Sequence, residues 1–236
     1  MVMKRFAYLI AAALLIFSCS KEDKPRKYNA SDYEAVDLGL SVKWASMNLG
    51  ATAPEDYGDY FAWGETQTKE DFYWNTYKWW EEHNKKHATG VYTKYVTYYA
   101  VEEYAYLIDN KTRLEPQDDA AHVTLGGKWR MPTNDEWREL RTSCDWSPIT
   151  QNGVRGMMVS SKKTGKSIFL PYGGGLRRPD LDTFTQQYDA GEAGYYWIPL
   201  LWEMEGMALK ISTRKFFEIG SMFRPVGCSI RAVCDD

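Results

Sequence analysis

The chain is poor in the features that mark membrane-spanning, nucleic-acid-binding and disordered proteins. Its longest apolar run, residues 6–17, is shorter than the roughly 20 residues that cross a bilayer as a helix. Lys+Arg 29 against Asp+Glu 32 gives a formal net charge of -3, so no cationic field is present to attract phosphate backbones. Nucleic acid is therefore not an expected partner. At 44% hydrophobic residues, the chain has enough apolar material for a folded core.

Sequence patterns of common catalytic and metal sites are also missing. No G-x-S-x-G nucleophile elbow occurs, and His122 has no candidate nucleophile beside it. The sequence TGKS at 164–167 lacks the first glycine of a P-loop and precedes a strand-like run, so we expect a turn between two strands. His83 and His87 have helical spacing, but Asn84 stands where a zinc protease needs glutamate. We therefore expect no catalytic residue, no metal and no cofactor.

Aromatic residues, in contrast, are abundant and make up 15% of the chain. Trp, Tyr and Phe side chains favour strands, cores and recognition surfaces. They are densest between residues 66 and 114, a stretch whose role the pattern does not indicate. This composition is more typical of a binding protein than of a metabolic enzyme.

The N-terminus has the pattern of a secretion signal. Lys4 and Arg5 precede the apolar run 6–17, whose length suits the core of a signal peptide. The run leads to Cys19 in an IFSC sequence that resembles the lipobox of bacterial lipoproteins, in which the cysteine is lipidated. We predict a lipoprotein signal peptide at 1–18 and a lipid on Cys19, which would be the protein's only contact with the membrane. The alternative is an ordinary signal peptide.

The remainder of the chain divides into a tether and a domain. Residues 19–33 are polar, charged and interrupted by proline, a composition that cannot build a core, so we predict a flexible tether. The charged residues just after Cys19 resemble the export signal of some Bacteroidota lipoproteins, which implies a surface-exposed position on the outer membrane. Residues 34–236 contain no second linker and no repeat of fixed period, so we predict a single domain.

The pattern within this domain predicts a small α+β fold. Residues 35–50 alternate apolar and polar side chains as a strand does, and residues 54–57 are typical of the first turn of a helix. Later apolar runs, separated by glycine-rich and polar turns, predict short antiparallel strands. These runs are 157–159, 168–171, 195–197, 208–211 and 228–233.

The clearest helix signal begins at Thr133. This residue is suited to an N-cap, acidic residues follow it, and Trp137 and Leu140 have helical spacing. The pattern predicts a helix that ends near Cys144. We expect Trp129 and Trp137 to lie in the core around it.

Several motifs, in order along the chain, resemble one known family. They are AVDLGLSVKWA at 35–45, GDYFAWGE at 58–65, WRMPT at 129–133, QNGV at 151–154, IFLP at 168–171, GYYW at 194–197 and SIRAV at 229–233. Together they resemble the Fibrobacter succinogenes major paralogous domain, whose members are typically lipoproteins of gut Bacteroidota. The resemblance covers most of the chain after the tether. It implies a C-type-lectin-like fold with two short helices, small antiparallel sheets and a long irregular loop region.

The sequence departs from this family near its C-terminus. Residues 198–204 and 221–228 are largely apolar where relatives carry Ser, Asn, Tyr, Arg and Gly, while the scaffold motifs are kept. This pattern resembles the variable region of proteins diversified by retroelements, which display a mutable ligand face. The residues assigned to that face are Ile198, Leu200, Leu201, Trp202, Met204, Met222, Phe223 and Val226. The alternative is that they pack a core or a fixed partner surface in an ordinary divergent member.

The remaining candidate sites are disulfides between cysteines and a calcium site at one Glu-Pro-Gln triplet. If Cys19 is lipidated, Cys144, Cys228 and Cys234 remain, an odd number in an oxidising compartment. The resemblance implies a disulfide between Cys144 and Cys234, because relatives often carry cysteines at these places. Cys228 is an even number of residues from Cys234, so on a strand the two side chains would share a face. A further alternative is that all three thiols are reduced and buried. The EPQ sequence at 115–117 is similar to the calcium-binding EPN triplet of lectins, but no Trp-Asn-Asp partner supports calcium.

The sequence therefore predicts a surface-exposed lipoprotein, not an enzyme, that binds a protein or glycan ligand through its C-terminal face. A retroelement-diversified receptor is one form of this hypothesis. The alternatives are a pilus-tip or structural envelope lipoprotein and an enzyme of the formylglycine-generating type, which has a related fold. Such an enzyme needs reactive cysteines or metal chemistry that the chain does not place. The sequence does not indicate the ligand or the oligomeric state.

Overall fold

The computed structural model describes residues 28–84, 89–98, 102–214 and 216–235. The predicted signal peptide, Cys19 and most of the predicted tether lie outside them. The last tether residues belong to the fold, because Tyr33 is buried and its hydroxyl accepts a hydrogen bond of 2.9 Å from Gly50 N. The Tyr28 hydroxyl donates to the Asp59 carboxylate. The predicted domain start at residue 34 is therefore too late.

The described residues contain two α-helices and short strands. The helices are α1 (Ala120–Leu125) and α2 (Asn134–Ser143). The strands are β1 (Ala35–Val36), β2 (Lys43–Ala45), β3 (Trp80–Asn84), β4 (Thr89–Tyr92), β5 (Trp129–Arg130), β6 (Cys144–Gln151), β7 (Val154–Ser161), β8 (Ser167–Pro171), β9 (Gly175–Arg177), β10 (Gln186–Tyr188), β11 (Ala193–Trp202), β12 (Glu205–Ser212), β13 (Glu218–Met222) and β14 (Val233–Cys234). Short 3-10 helices occur at Ala30–Asp32, Trp74–Thr76, Glu102–Leu107 and Pro116–Asp118.

The named strands form small antiparallel sheets, which agrees with the predicted α+β fold class. One sheet has the order β1-β2-β14-β5 and joins the two ends of the described chain, since Val233 pairs with both Trp44 and Arg130. Two further sheets are the meanders β6-β7-β8 and β11-β12-β13. The hairpins β3-β4 and β9-β10 each form a separate two-stranded sheet. No helix among the described residues is long and apolar enough to cross a membrane.

Helix α2 confirms the strongest local prediction. The Thr133 side chain accepts a hydrogen bond from Glu136 N, and the Glu136 carboxylate accepts one of 2.7 Å from Thr133 N. This reciprocal pair satisfies donors that the first turn of a helix leaves open. Trp137 and Leu140 are fully buried, and Trp129 is buried as well.

Two other local predictions are corrected. Residues 54–57 form no helix, because the Asp56 carboxylate accepts hydrogen bonds from Thr52 N and Ala53 N and so closes a turn. The predicted strand at 35–50 is split into β1 and β2, which pair with each other. The predicted turn at 164–167 is confirmed between β7 and β8.

Three hydrophobic clusters fill the fold, and β11 runs between two of them. Tyr195 and Trp197 face the first core, while Tyr196 and Ile198 face the second. This alternation is what a strand buried on both faces produces. The third core is mainly aromatic. Its buried members come from the chain between residues 60 and 96 and include Phe72, Tyr77 and Tyr92.

The three described cysteines are free thiols. Cys144 packs in the second core, whereas Cys228 and Cys234 pack in and against the first. The disulfide implied between Cys144 and Cys234 is therefore wrong, because the strands that carry them direct the two side chains into different cores.

Candidate ligand-binding surface

Three of the residues assigned to a ligand face are buried. Ile198 has no exposed surface and lies in the second core, while Leu201 and Val226 are buried in the first. Alternation along β11 directs Ile198 to the core opposite Trp197. None of the three presents its side chain to a ligand, so their assignment to a ligand-binding face is wrong.

The remaining five assigned residues reach the surface to different extents. Leu200, Met204 and Met222 are half-buried, and each packs against one of the three cores. Trp202 and Phe223 are 63% and 57% exposed. Large aromatic side chains this exposed are uncommon on a folded protein and often mark recognition sites. The exposure expected of Trp202 and Phe223 is confirmed, and ligand binding by them stays a prediction.

The strand register brings Trp202 and Phe223 to the same end of one sheet. Trp202 pairs with Glu205 across the β11–β12 hairpin. Gly206 pairs with Met222 on β13, and Phe223 follows Met222 directly. With neighbouring strands about 4.8 Å apart, this register holds both aromatic residues at the hairpin end of the three-stranded sheet.

Part of the aromatic-rich stretch 66–114 joins the same end of the sheet. The Thr97 hydroxyl donates a hydrogen bond of 3.2 Å to the Glu203 carbonyl in the hairpin turn. The next residue, Tyr98, is 64% exposed. The Trp74 ring lies 5.6 Å, centre to centre, from the Phe223 ring. We call Tyr98, Trp202, Met204 and Phe223, with Trp74 beside Phe223, the aromatic end.

The platform behind the aromatic end is built from rings in tilted and edge-to-face contact. Trp74 contacts Trp80 and Tyr92 at ring-centre distances of 4.7 and 5.9 Å. Trp80 and Tyr92 also pair across the β3–β4 hairpin. Gly90 on β4 is required there, since a Cβ would lie 2.1 Å from the Glu81 carbonyl oxygen. Such tight aromatic contact limits the movement of Trp74 and hence of Phe223.

Arg224 fixes the chain immediately behind Phe223. Its fully buried guanidinium donates to the carbonyls of Lys94 and Tyr95 at 3.0 and 2.7 Å. The group lies 3.8 Å from the centre of the Tyr92 ring, and no carboxylate among the described residues pairs with it. Carbonyl dipoles and an aromatic face therefore replace the counter-ion. Sequence reasoning missed Arg224, although a lone cation inside an apolar segment signals that its charge needs a partner.

The segment that Arg224 holds has an unusual backbone. Tyr95 has a φ of 58°, a left-handed conformation that costs energy for a residue other than glycine. The Asp109 carboxylate accepts hydrogen bonds from Tyr95 N and Val96 N at 2.9 and 2.8 Å. The Tyr95 hydroxyl donates to Asp118 at 2.6 Å, and burial together with this bond raises the pKa of Tyr95. Buried hydrogen bonds thus hold the loop in a conformation that it would not adopt alone.

Lysine side chains balance the buried acid of this network. The Lys94 ammonium lies 2.7 Å from Glu115 and 2.5 Å from Asp118, and the Lys78 ammonium lies 3.2 Å from Asp118. Burial raises the pKa of Asp118, but the hydrogen bonds from Lys94, Tyr95 and Lys78 outweigh it, so the net pKa is lowered. Burial likewise lowers the pKa of Lys94, and its bonds to Asp118 and Glu115 raise it overall. Asp118, whose pKa is lowered, and Lys94, whose pKa is raised, are therefore both charged near neutral pH.

No metal centre is formed within the part of the chain that the structure describes. It contains no group of three or more His, Cys, Asp or Glu side chains placed to hold an ion. Glu115, from the EPQ triplet, is paired with Lys94 and Lys111. Of the histidines considered for zinc, His83 lies on β3 and His87 falls outside the described residues.

Comparisons with known proteins leave the family open. No protein-family model matches the chain, and no curated protein or solved structure is significantly similar to it. The resemblance to the Fibrobacter major paralogous domain therefore stays a prediction.

Proposed function

We propose that this protein binds a protein or glycan ligand through the aromatic end. The observation that carries the proposal is the exposure of Tyr98, Trp202 and Phe223 around one end of a sheet. Aromatic rings offer a large contact area and have few rotatable bonds, so they lose little entropy on binding. Arg224 and the Trp74 platform hold Phe223 in place before a ligand arrives, which lowers the cost of association further.

Polar groups beside these rings would orient a ligand. The Glu205 carboxylate lies between the two aromatic strand ends and accepts a hydrogen bond of 2.6 Å from the Ser221 hydroxyl. Glu203 is exposed in the hairpin turn. An apolar surface with a few placed acceptors is the usual composition of a recognition site, for hydroxyl-rich sugars and for protein surfaces alike.

The rest of the proposal concerns fold and location. We infer a C-type-lectin-like fold, which the two helices and the small antiparallel sheets of the described residues support. Lipidation at Cys19 would anchor the domain on the outer membrane, facing outwards. A retroelement-diversified receptor requires a nearby reverse transcriptase gene and a near-copy of the 3' end of this gene. Flanking DNA without them would remove that form of the proposal.

Buried cysteines support a binding protein over an enzyme of the formylglycine-generating type. Burial raises the pKa of the Cys144 and Cys228 thiols. A nucleophilic or metal-binding cysteine needs the opposite shift, since the thiolate is the reactive form.

The binding proposal is tested with alanine variants on labelled protein. The probes are intact neighbouring bacteria and host mucin, and binding is compared for wild type, Trp202→Ala and Phe223→Ala. If either residue is a hot spot, affinity falls by about 2 kcal/mol, or roughly 30-fold. Phe216→Ala is the matched control, since Phe216 is 40% exposed and lies outside the aromatic end. Wild-type binding by both folded variants would refute the proposal.

The lipid anchor has a separate test. Replacement of Cys19 by serine should release the protein from the membrane fraction, because the acyl chains would be its only attachment. An inhibitor of lipoprotein signal peptidase should leave an uncleaved precursor of the wild type. Unchanged membrane partition of the Cys19→Ser variant would contradict lipid anchoring without affecting the binding proposal.

A further inference from the structure

One aromatic side chain outside the aromatic end has a larger exposed fraction than any ring within it. Phe184 is 86% exposed, the largest exposed fraction of an aromatic residue among the described residues. It lies in the loop 178–185 that joins β9 to β10. The loop shares no residue with the aromatic end, so its exposure needs an explanation of its own.

Hydrogen bonds fix this loop in place. The Arg178 guanidinium donates to the Asp71 carboxylate at 2.7 Å, to the Leu181 carbonyl at 2.5 Å and to the Asp180 carbonyl at 3.0 Å. At the other foot of the loop, the Thr185 hydroxyl donates to Asp71 at 3.1 Å. The loop therefore presents Phe184 in a defined position, and docking would not have to pay for ordering it.

The loop is acidic beside its phenylalanine. Asp180 and Asp182 are both exposed. The Asp180 carboxylate accepts a hydrogen bond from Asp182 N, while no cation of the described residues pairs with the Asp182 carboxylate. A partner for this loop should thus offer an apolar pocket with a positively charged rim.

The same chain contains a pocket with these properties. A cavity of about 370 Å³ lies beside α1 and β5. Its apolar lining consists of Leu114, Pro116, Trp129, Met131 and Pro199. Its polar lining consists of Arg113, Asp119, His122, Lys128, Arg130 and Asp235, so cations outnumber carboxylates there. At its rim Arg130 is engaged by Glu136 and Asp235, but the exposed Arg113 has no ion pair among the described residues. A cavity of roughly 150 Å³ already holds a benzene ring, so the space suffices for a phenyl group.

We propose that Phe184 of one copy of this protein inserts into this cavity of a second copy, with Asp182 facing Arg113. Donor loop and acceptor cavity are different surfaces, so the contact is heterologous and builds a ring or an open chain of copies. A contact made by one phenylalanine and the residues at the cavity rim buries less than the roughly 1,200 Å² of a stable interface. The association is therefore weak and needs a high local concentration of the protein. It is independent of ligand binding at the aromatic end.

Photo-crosslinking in the cell envelope tests the contact in the full chain. Phe184 is replaced by p-benzoylphenylalanine, and irradiation should give an adduct of two copies. Mass spectrometry should locate the attachment at residues 113–116 or 128–131. The same probe at Phe216 is the control and should give no such adduct.

A charge exchange separates this contact from chance proximity. Asp182→Arg should lower the yield of the adduct by roughly tenfold, because like charges then meet across the rim. Adding Arg113→Asp should restore the yield, and both exposed substitutions should leave the melting temperature unchanged. An adduct with another protein, with lipid or with a different part of a second copy would overturn the proposal. Absence of any adduct, or no effect of Asp182→Arg, would overturn it as well.

Discussion

The second core and the aromatic end achieve rigidity in different ways. In the second core, apolar side chains from α2 and successive strands interlock, as where Trp137 contacts Trp44 and Tyr196 at 4.6 and 5.8 Å. Behind the aromatic end, single buried polar groups hold a loop: Arg224 binds the Tyr95 carbonyl and Asp118 binds the Tyr95 hydroxyl. The first arrangement distributes its stability over many contacts, whereas the second depends on a few.

This difference predicts two levels of stability within one domain. Regions with many buried apolar contacts open only when the whole protein unfolds, while regions held by a few hydrogen bonds open locally. Damage to the second core should therefore unfold the molecule. Damage behind the aromatic end should loosen that end and leave the core intact.

The largest effect is expected from Trp137→Ala. Trp137 is fully buried, and removing its ring leaves a cavity between α2, β2 and β11. Tryptophan-to-alanine changes in cores cost about 3 to 5 kcal/mol. Urea denaturation followed by circular dichroism measures the loss, and Trp202→Ala is the control, with a change within about 1 kcal/mol expected for a surface site. Equal stability of the two variants would refute the division between core and surface.

Two buried arginines allow a direct comparison of the regions. Arg231 donates to Asn48, to the Ala45 carbonyl and to the Phe169 carbonyl at 3.0, 2.9 and 2.7 Å. Burial lowers its pKa to about 10. Since each buried group left without a partner costs about 1 to 3 kcal/mol, Arg231→Met should cost about 3 kcal/mol of global stability.

Arg224→Met should act locally instead. It removes the bonds to the Lys94 and Tyr95 carbonyls and the contact with the Tyr92 ring, which together should cost about 2 kcal/mol within that loop. Hydrogen exchange should speed up at Tyr95 N and Val96 N while the amides of β7 keep their protection. Equal acceleration of exchange in both regions would show that the two form one cooperative unit.

A smaller, pH-dependent effect is expected from Asp118→Asn. The pKa of Asp118 is held below the ordinary value of 3.8 in the folded state, so its charge stabilises the fold above that pH and the gain is lost as pH falls through the folded pKa. The variant should be about 1 to 2 kcal/mol less stable at pH 7, since charged hydrogen bonds are lost. The difference should vanish well below pH 4.

The control for this pH dependence is Asp145→Asn. Asp145 forms a 3.4 Å ion pair with Lys162 in which both side chains are largely exposed. Such a pair contributes little, because water screens it. A constant difference between wild type and Asp118→Asn across this pH range would contradict the lowered pKa of Asp118.

The two regions also differ in how well the sequence predicts them. Helix α2 and the later strands follow from period and capping alone, because each residue's environment there repeats along the chain. The aromatic stretch 66–114 has no such period, and its residues Tyr95 and Thr97 are held by Arg224 and by the hairpin turn, both far along the chain. The exposure of Trp202 was predictable, because it lies in the segment 198–204 that departs from the family while the scaffold motifs around it are kept. The burial of Ile198 was not, because it depends on β11 having a core on each face.

The smallest effect is expected from reducing agents. Cys144 and Cys228 are buried, Cys234 is half-buried, and all three are free thiols, so reductant should leave the melting temperature unchanged. Burial raises the pKa of Cys144 and Cys228, and thiolate is the reactive form, so native protein should be alkylated at Cys234 first. After denaturation without reductant all three thiols should react. A Cys144–Cys234 disulfide would instead leave only Cys228 reactive and would add stability that reductant removes, which mass spectrometry of the alkylated peptides and thermal melts would detect.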